Sequence, residues 1–263
     1  MQLNPTNETQ LSKIIEDLPQ QYRTILGHVT LPQDNGNSVA TALHNGDTVI
    51  GASDGSIRTH QNNTEGTYAY ILTTYDSDRG QIYGYQRVPK TDEICSQTAE
   101  MYGYIGQLFI LYIVTLLHRI KDSESTIILT TDNKETFKRA SKIITPTNIK
   151  QTLATEYDQW RLLQELIQLI PLQITHKWVK GHQDEDKKKN KIIGPLTREV
   201  YLNSRADTLA TTAYDIQEIP HRYLNHHSVF GLYTDDRKYV TNIRHHINNI
   251  INAPPIIQYL QQK

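Results

Sequence analysis

Asp54 in "GASDGS", Glu100 in "SQTAEMYGY", Asp132 in "LTTDN" and Asp207 in "LNSRADTLA" are the side chains whose types and settings could do chemistry together. Taken singly, an aspartate after a strand is a turn residue, and an acid near a helix start complements the helix dipole. Gathered in one place, the four would repel: two unit charges ~4 Å apart cost about 4 kcal/mol at an effective dielectric near 20. Such a cluster persists only if protons or cations neutralise it. A donor set of oxygens without sulfur selects hard divalent ions, Mg²⁺ first and Mn²⁺ as its substitute. Two such ions ~3.5–4 Å apart would bracket a phosphodiester.

The acids can meet only if the chain brings strand ends and helix starts to one edge. "DTVIGASDGS" (47–56) reads as a short apolar strand ended by a turn at Asp54, and "GTYAYILTTY" (66–75) and "GQIYGYQRV" (80–88) are rich in aromatic and β-branched residues. Short loops join the three into an antiparallel meander. A long helix over 97–121 follows, then a buried-type strand, "STIILTTD" (125–132), and a short helix over 133–143. Trp160, Leu163, Leu166, Ile167 and Ile170 share one face of a helix over 156–170, Pro171 breaks it, and "LQITHKWVKGH" (172–182) reads as a further strand. A last helix runs from about Thr197 to Tyr214, with Asn203 as its N-cap and Asp207 one turn inside. Three strands, helix, strand, helices, strand, helix predicts an α/β sandwich with a five-stranded mixed sheet, three antiparallel strands then two parallel ones, flanked by helices. In open α/β sheets ligands gather at the carboxyl ends of the parallel strands, which is where Asp54 and Asp132 fall.

Outside this core, Leu11, Ile14, Ile15 and Leu18 recur at helical spacing before Pro19, and residues 32–46 are rich in turn formers and read as a loop or linker. Val240, Ile243, Ile247, Ile250 and Ile251 form an amphipathic stripe that Pro254-Pro255 ends. The expected organisation is a helical N-terminal extension and linker (1–46), an α/β domain (47–215) and a C-terminal helical extension (216–263).

With 37% hydrophobic and 21% charged residues, the chain is expected to be globular and not disordered. A net charge of −1 means that a nucleic-acid partner must be held by local basic patches. Cys95 is the only cysteine, which excludes a disulfide framework and any multi-cysteine metal site and suits a reducing, intracellular compartment, nuclear or cytoplasmic. "MQLNPTNETQ" has no basic stretch followed by an apolar core, so no secretory signal is expected. The apolar run Met101–Leu117 falls short of the ~20 residues of a membrane span and contains Gly103, Gly106, Gln107 and Thr115. A helix buried against a sheet is the better reading, with no membrane partner.

"SDGS", "TAEMYGY", "TTDN", "WVKGHQD" and "NSRADTLA", in that order, resemble the ribonuclease H domain (type 1-like), most of all the versions attached to reverse transcriptases in retroelements. The resemblance covers roughly residues 47–215. It implies a ribonuclease H-like fold and a Mg²⁺-dependent endoribonuclease that hydrolyses the RNA strand of RNA–DNA hybrids. Asp54, Glu100, Asp132 and Asp207 would be the metal-binding carboxylates, with Asp54 bridging two Mg²⁺ ions. His182, in "KGHQD", matches the mobile-loop histidine that assists catalysis or product release. A reverse-transcriptase domain in the same polyprotein is the partner this implies.

Gly55, Ser56, Asn133 and Lys134 are candidate contacts to the minor groove, where 2′-hydroxyls distinguish RNA from DNA; Gly55 would allow a tight turn and close backbone approach. Lys134, Lys138, Arg139, Lys142 and Lys150, and Lys177, Lys180, Lys187, Lys188, Lys189 and Lys191 around His182, are candidates for phosphate contact. Asp184, Glu185 and Asp186 interrupt the second group, and the long gap from His182 to Asp207 departs from the family pattern. Two alternatives stand beside this reading. One is a different nuclease or recombinase on the same fold, which the order of the acids disfavours. The other is a non-catalytic structural or nucleic-acid-binding domain, in which one or more acids are usually lost. Zinc binding by His221, His226, His227, His245 and His246 without cysteine is a weak third.

Overall fold

The computed structural model describes residues 10–61, 63–78, 80–89, 94–121, 124–142, 156–184 and 194–220, and two strand segments at 232–234 and 237–239. The predicted C-terminal amphipathic helix, the five candidate zinc histidines, and Lys150, Glu185, Asp186, Lys187, Lys188, Lys189 and Lys191 lie outside them.

The meander is present. Strand β2 (Val49–His60) pairs antiparallel with β3 (Asn63–Thr74), and β3 with β4 (Ile82–Arg87). Two further strands, β5 (Ile127–Thr131) and β6 (Ile174–Trp178), run parallel to β2 on its other side. The five predicted strands thus form the expected mixed sheet, three antiparallel strands followed by two parallel ones. A sixth was not foreseen: β1 (His28–Thr30) adds to the far edge beside β4, giving the order β1-β4-β3-β2-β5-β6.

Alternation along β2 assigns its two faces. Ile50 and Ala52 pack with Ile71, Leu202 and Ala206 under helix α7 (Arg198–Thr212), while Val49 belongs to the larger core on the other face. Helix α4 (Ser96–Leu117) crosses that second face, and its residues Thr98–Thr115 are all buried. Length and composition alone would let α4 cross a membrane, but 89% of its most apolar window is inside the fold. Helices α5 (Lys134–Ser141) and α6 (Tyr157–Leu169) complete this layer.

The N-terminal segment joins the same core. Helix α1 (Leu11–Asp17) is followed by α2 (Gln20–Leu26), and both bury apolar residues against α4. Tyr68 Oη donates to the carbonyls of Thr24 and Ile25 (2.7 and 3.0 Å) and Tyr70 Oη to that of Leu26 (2.9 Å), carbonyls at a helix end that lack helical partners. Residues 32–46, expected as loop, contain helix α3 (Asn37–Asn45). The Asp34 carboxylate accepts from the Gly36 and Ser38 amides (3.0 and 2.7 Å) and from the Ser38 hydroxyl, starting the helix, and Val39, Ala40, Ala42 and Leu43 bury it. Turn-forming residues here are the helix's start signal.

Candidate active site

The parallel ladder between β2 and β5 ends at Ala52↔Thr130, two residues before Asp54. Beyond that point β2 has no neighbour on the β5 side, and the edge is open beside Asp54. Strand β2 itself does not end there. It continues antiparallel to β3 as far as His60↔Asn63, so the expected turn after Asp54 is replaced by a long hairpin arm. Cross-strand pairing with β3 overrides the turn-forming character of "SDGS".

Gly55 is therefore a strand residue, and the close approach it allows is to a helix. A Cβ at Gly55 would run into the backbone of Ala99 and Glu100. Its absence lets the first turns of α4 rest directly on β2, which delivers the Glu100 carboxylate to the open edge. The Gly55 amide lies close enough to Asp54 and Glu100 to favour their charged forms. Asp132 enters from the end of β5, and one carboxylate oxygen each from Asp54, Glu100 and Asp132 lies within 4.8 Å of the others. Asp207 projects from α7. It stands outside that group of three, yet its charge acts on all of them.

Electrostatics follow from this crowding in a dry place. Burial first, then the charges of Asp132 and Asp207, push the Asp54 carboxyl well above its ordinary value of 3.8. Burial, then Asp54 and Asp132, push Glu100 well above 4.5. Asp132 is raised by burial, while a hydrogen bond from Asn203 and the charge of His182 hold it down. Asp54 and Glu100 are only 6% and 5% exposed, and Glu100 Oε2 is buried without a hydrogen-bond partner. A buried carboxylate oxygen left without a donor beside two like charges is what a cation ligand looks like when only protein is considered. The donor set is oxygen throughout, which fits a hard divalent ion. These residues could hold a metal ion.

The remaining predicted residues divide. His182 is exposed, on a left-handed backbone (φ 55°), and near enough to Asp132 for its charge to act there. Gly181 lies against the Asp132 carboxylate, so a Cβ there would collide with it. Ser56 accepts from Tyr214 Oη (3.4 Å), and the Arg58 guanidinium sits 3.9 Å from the centre of the Tyr214 ring. The Asn133 side chain is engaged as the N-cap of α5, accepting from the Thr136 amide (2.8 Å). Lys134 is exposed and stands over the Trp178 ring.

Asn203 is not an N-cap. Thr197 caps α7, its hydroxyl accepting from the Val200 amide (3.4 Å), because the helix begins a turn and a half earlier than Asn203. Asn203 instead donates from Nδ2 to Asp132 Oδ2 (3.4 Å), while its buried Oδ1 has no partner. It precedes Asp207 by four residues, one helical turn, so the two share a face. Trp178, whose Nε1 donates to the Asp132 carbonyl (2.7 Å), is another neighbour that sequence reasoning missed. The "WVKGH" setting singled out the stretch but not this residue.

The sequence matches no family model, and no curated protein matches it. Among solved structures, the chain is similar to the N-terminal RNase H domain of rv2228c from Mycobacterium tuberculosis, at 16% identity and a TM-score of 0.41 over 64% of this chain and 94% of that one. RNase H1 from the halophilic archaeon Halobacterium salinarum NRC-1 is similar at 18% identity and a TM-score of 0.39, over 64% and 98%. LC11-RNase H1, solved in complex with an RNA/DNA hybrid, is similar at 10% identity and a TM-score of 0.42, over 64% and 96%.

Proposed function

We propose that the chain is an endoribonuclease that hydrolyses the RNA strand of RNA–DNA hybrids with the help of two Mg²⁺ ions. One observation carries this reading: three carboxylates, from the middle of β2, the end of β5 and the first turns of α4, converge within 4.8 Å, with a buried, unpartnered oxygen on Glu100. A scaffold kept only for structure has no reason to retain mutually repelling buried acids.

Asp54, Glu100, Asp132 and Asp207 would hold the ions. When bound, the ions supply Lewis acidity toward the scissile phosphodiester. The protein's own contribution is arrangement. The Gly55 amide favours the charged forms of Asp54 and Glu100, Asn203 anchors Asp132, and the packing of α4 on the sheet keeps the three oxygens from relaxing apart. Exposed His182, near Asp132, would assist catalysis or product release. Gly55, Ser56, Asn133 and Lys134 would meet the minor groove of the hybrid.

The order and wording of the five motifs support placing the chain in a retroelement polyprotein that also carries a reverse transcriptase. The test is incubation of a labelled RNA–DNA hybrid with Mg²⁺, beside an Asp132→Asn variant. Cleavage by the parent and a loss of ~10²-fold or more in the variant is expected for a lost charge in the ion-binding set. Equal rates, cleavage of single-stranded RNA alone, or turnover that persists in EDTA would overturn the reading.

A further inference from the structure

Among the described residues only four large apolar side chains are substantially exposed, and one of them, Trp178 at 39%, lies beside the carboxylates. Its position is fixed. The indole N–H donates to the Asp132 carbonyl (2.7 Å), and its strand neighbour is Thr131, the residue before Asp132. The Lys134 ammonium stands 4.9 Å from the ring centre. The nearest acid in the chain, Glu135, is taken up by Lys138 and Arg139 (3.7 and 3.4 Å), which leaves the Lys134 charge resting on the ring. An exposed tryptophan immobilised by its polar edge, with a cation over its face, is a preorganised surface for a group that offers C–H contacts beside an anion.

We propose that Trp178 and Lys134 form a sugar–phosphate platform that grips the hybrid one nucleotide or so from the scissile bond; this rests on the hybrid-nuclease reading above. In a duplex the bases are stacked inside, so an outward-facing ring meets sugar, and the ammonium at its rim meets the adjoining phosphate. Lys134 moves from the ring to the phosphate on binding, and the vacated ring face takes the sugar. The rest of the site is anionic, so a polyanionic substrate needs such a grip outside the carboxylates. Trp178 also ties this grip to Asp132 through its N–H, so that substrate seating and the carboxylate share one rigid element.

Binding is measured in an Asp54→Asn background with Mg²⁺, in which the hybrid stays intact. Trp178→Ala is expected to weaken hybrid binding about tenfold, the size expected for part of a ring face left unburied, and Trp178→Phe to stay within about twofold. Lys134→Ala should lower the slope of log K against log salt by about one. The chain has two tryptophans, and Trp160 is buried. With Trp160→Phe, Trp178 becomes the sole emitter, and hybrid should shield it from acrylamide. Unchanged affinity in Trp178→Ala, unshielded emission, or a loss in Trp178→Phe as large as in Trp178→Ala would overturn the platform, the last because it would trace the effect to the Asp132 anchor. If the parent chain cleaves hybrid while Trp178→Ala binds normally, the platform alone falls. If the parent neither binds nor cleaves, the nuclease reading falls and the platform with it.

Discussion

Replacing Glu100 with glutamine removes one charge from the cluster while keeping its shape and an oxygen that faces the Gly55 amide. Each carboxylate pair within 4.8 Å costs about 3.5 kcal/mol at an effective dielectric near 20, and Glu100 takes part in two such pairs. That sum exceeds what the folded protein has to bear. Taking up a proton at pH 7 against an ordinary value of 4.5 costs about 3.4 kcal/mol, and this caps the penalty. Allowing about 1 kcal/mol for a weaker hydrogen bond to a neutral amide, Glu100→Gln should stabilise the metal-free protein by ~2–3 kcal/mol at pH 7. For a chain of this size that is a rise in Tm of about 5–10 °C.

The sign with pH is fixed. A carboxyl raised on folding stabilises the folded state below its ordinary value, and the advantage is lost as pH rises through its folded value. Asp34, Asp78 and Glu199, which are lowered, act in the opposite sense, so the difference between variant and parent is the quantity to follow. Thermal unfolding in EDTA should show that difference near zero below pH 4.5 and growing toward pH 7. Excess Mg²⁺ should then raise the parent's Tm more than the variant's. A variant no more stable than the parent at pH 7 in EDTA, or a gain independent of pH, would refute the electrostatic account of the site.

Gly55→Ala places a methyl against the Glu100 backbone, and it should cost ~2 kcal/mol or more and abolish hybrid cleavage; a urea titration and a cleavage assay check both. Tyr68→Phe leaves the Thr24 and Ile25 carbonyls without their donor, a loss of about 1–3 kcal/mol that should lower the urea midpoint without altering Mg²⁺ binding by calorimetry. Asn203→Ala frees Asp132 Oδ2, so Mg²⁺ affinity should drop about tenfold while Tm in EDTA moves little; an unchanged affinity would remove Asn203 from the site.

Much of this protein was legible in the chain. Runs of aromatic and β-branched residues joined by short loops announced the meander, and an apolar run interrupted by Gly103, Gly106, Gln107 and Thr115 announced the buried α4. Asp54, Glu100 and Asp132, in characteristic settings, announced the edge where these three meet. Each of these is a local pattern, readable because side-chain period and backbone chemistry are properties of a short segment. What tertiary structure decided was everything set by partners distant in sequence. β2 runs past Asp54 because β3 pairs with it residue for residue. The carboxylates converge because the β5 ladder stops two residues short of Asp54, a mismatch in strand length that no single segment reveals. Asn37–Asn45, within the expected loop, became a helix because a core was there to receive Val39 and Leu43. Asn203 turned from an expected cap into a partner of Asp132, and Trp178 into its neighbour, because packing of α7 and β6 against the sheet chose which polar atoms could reach one another.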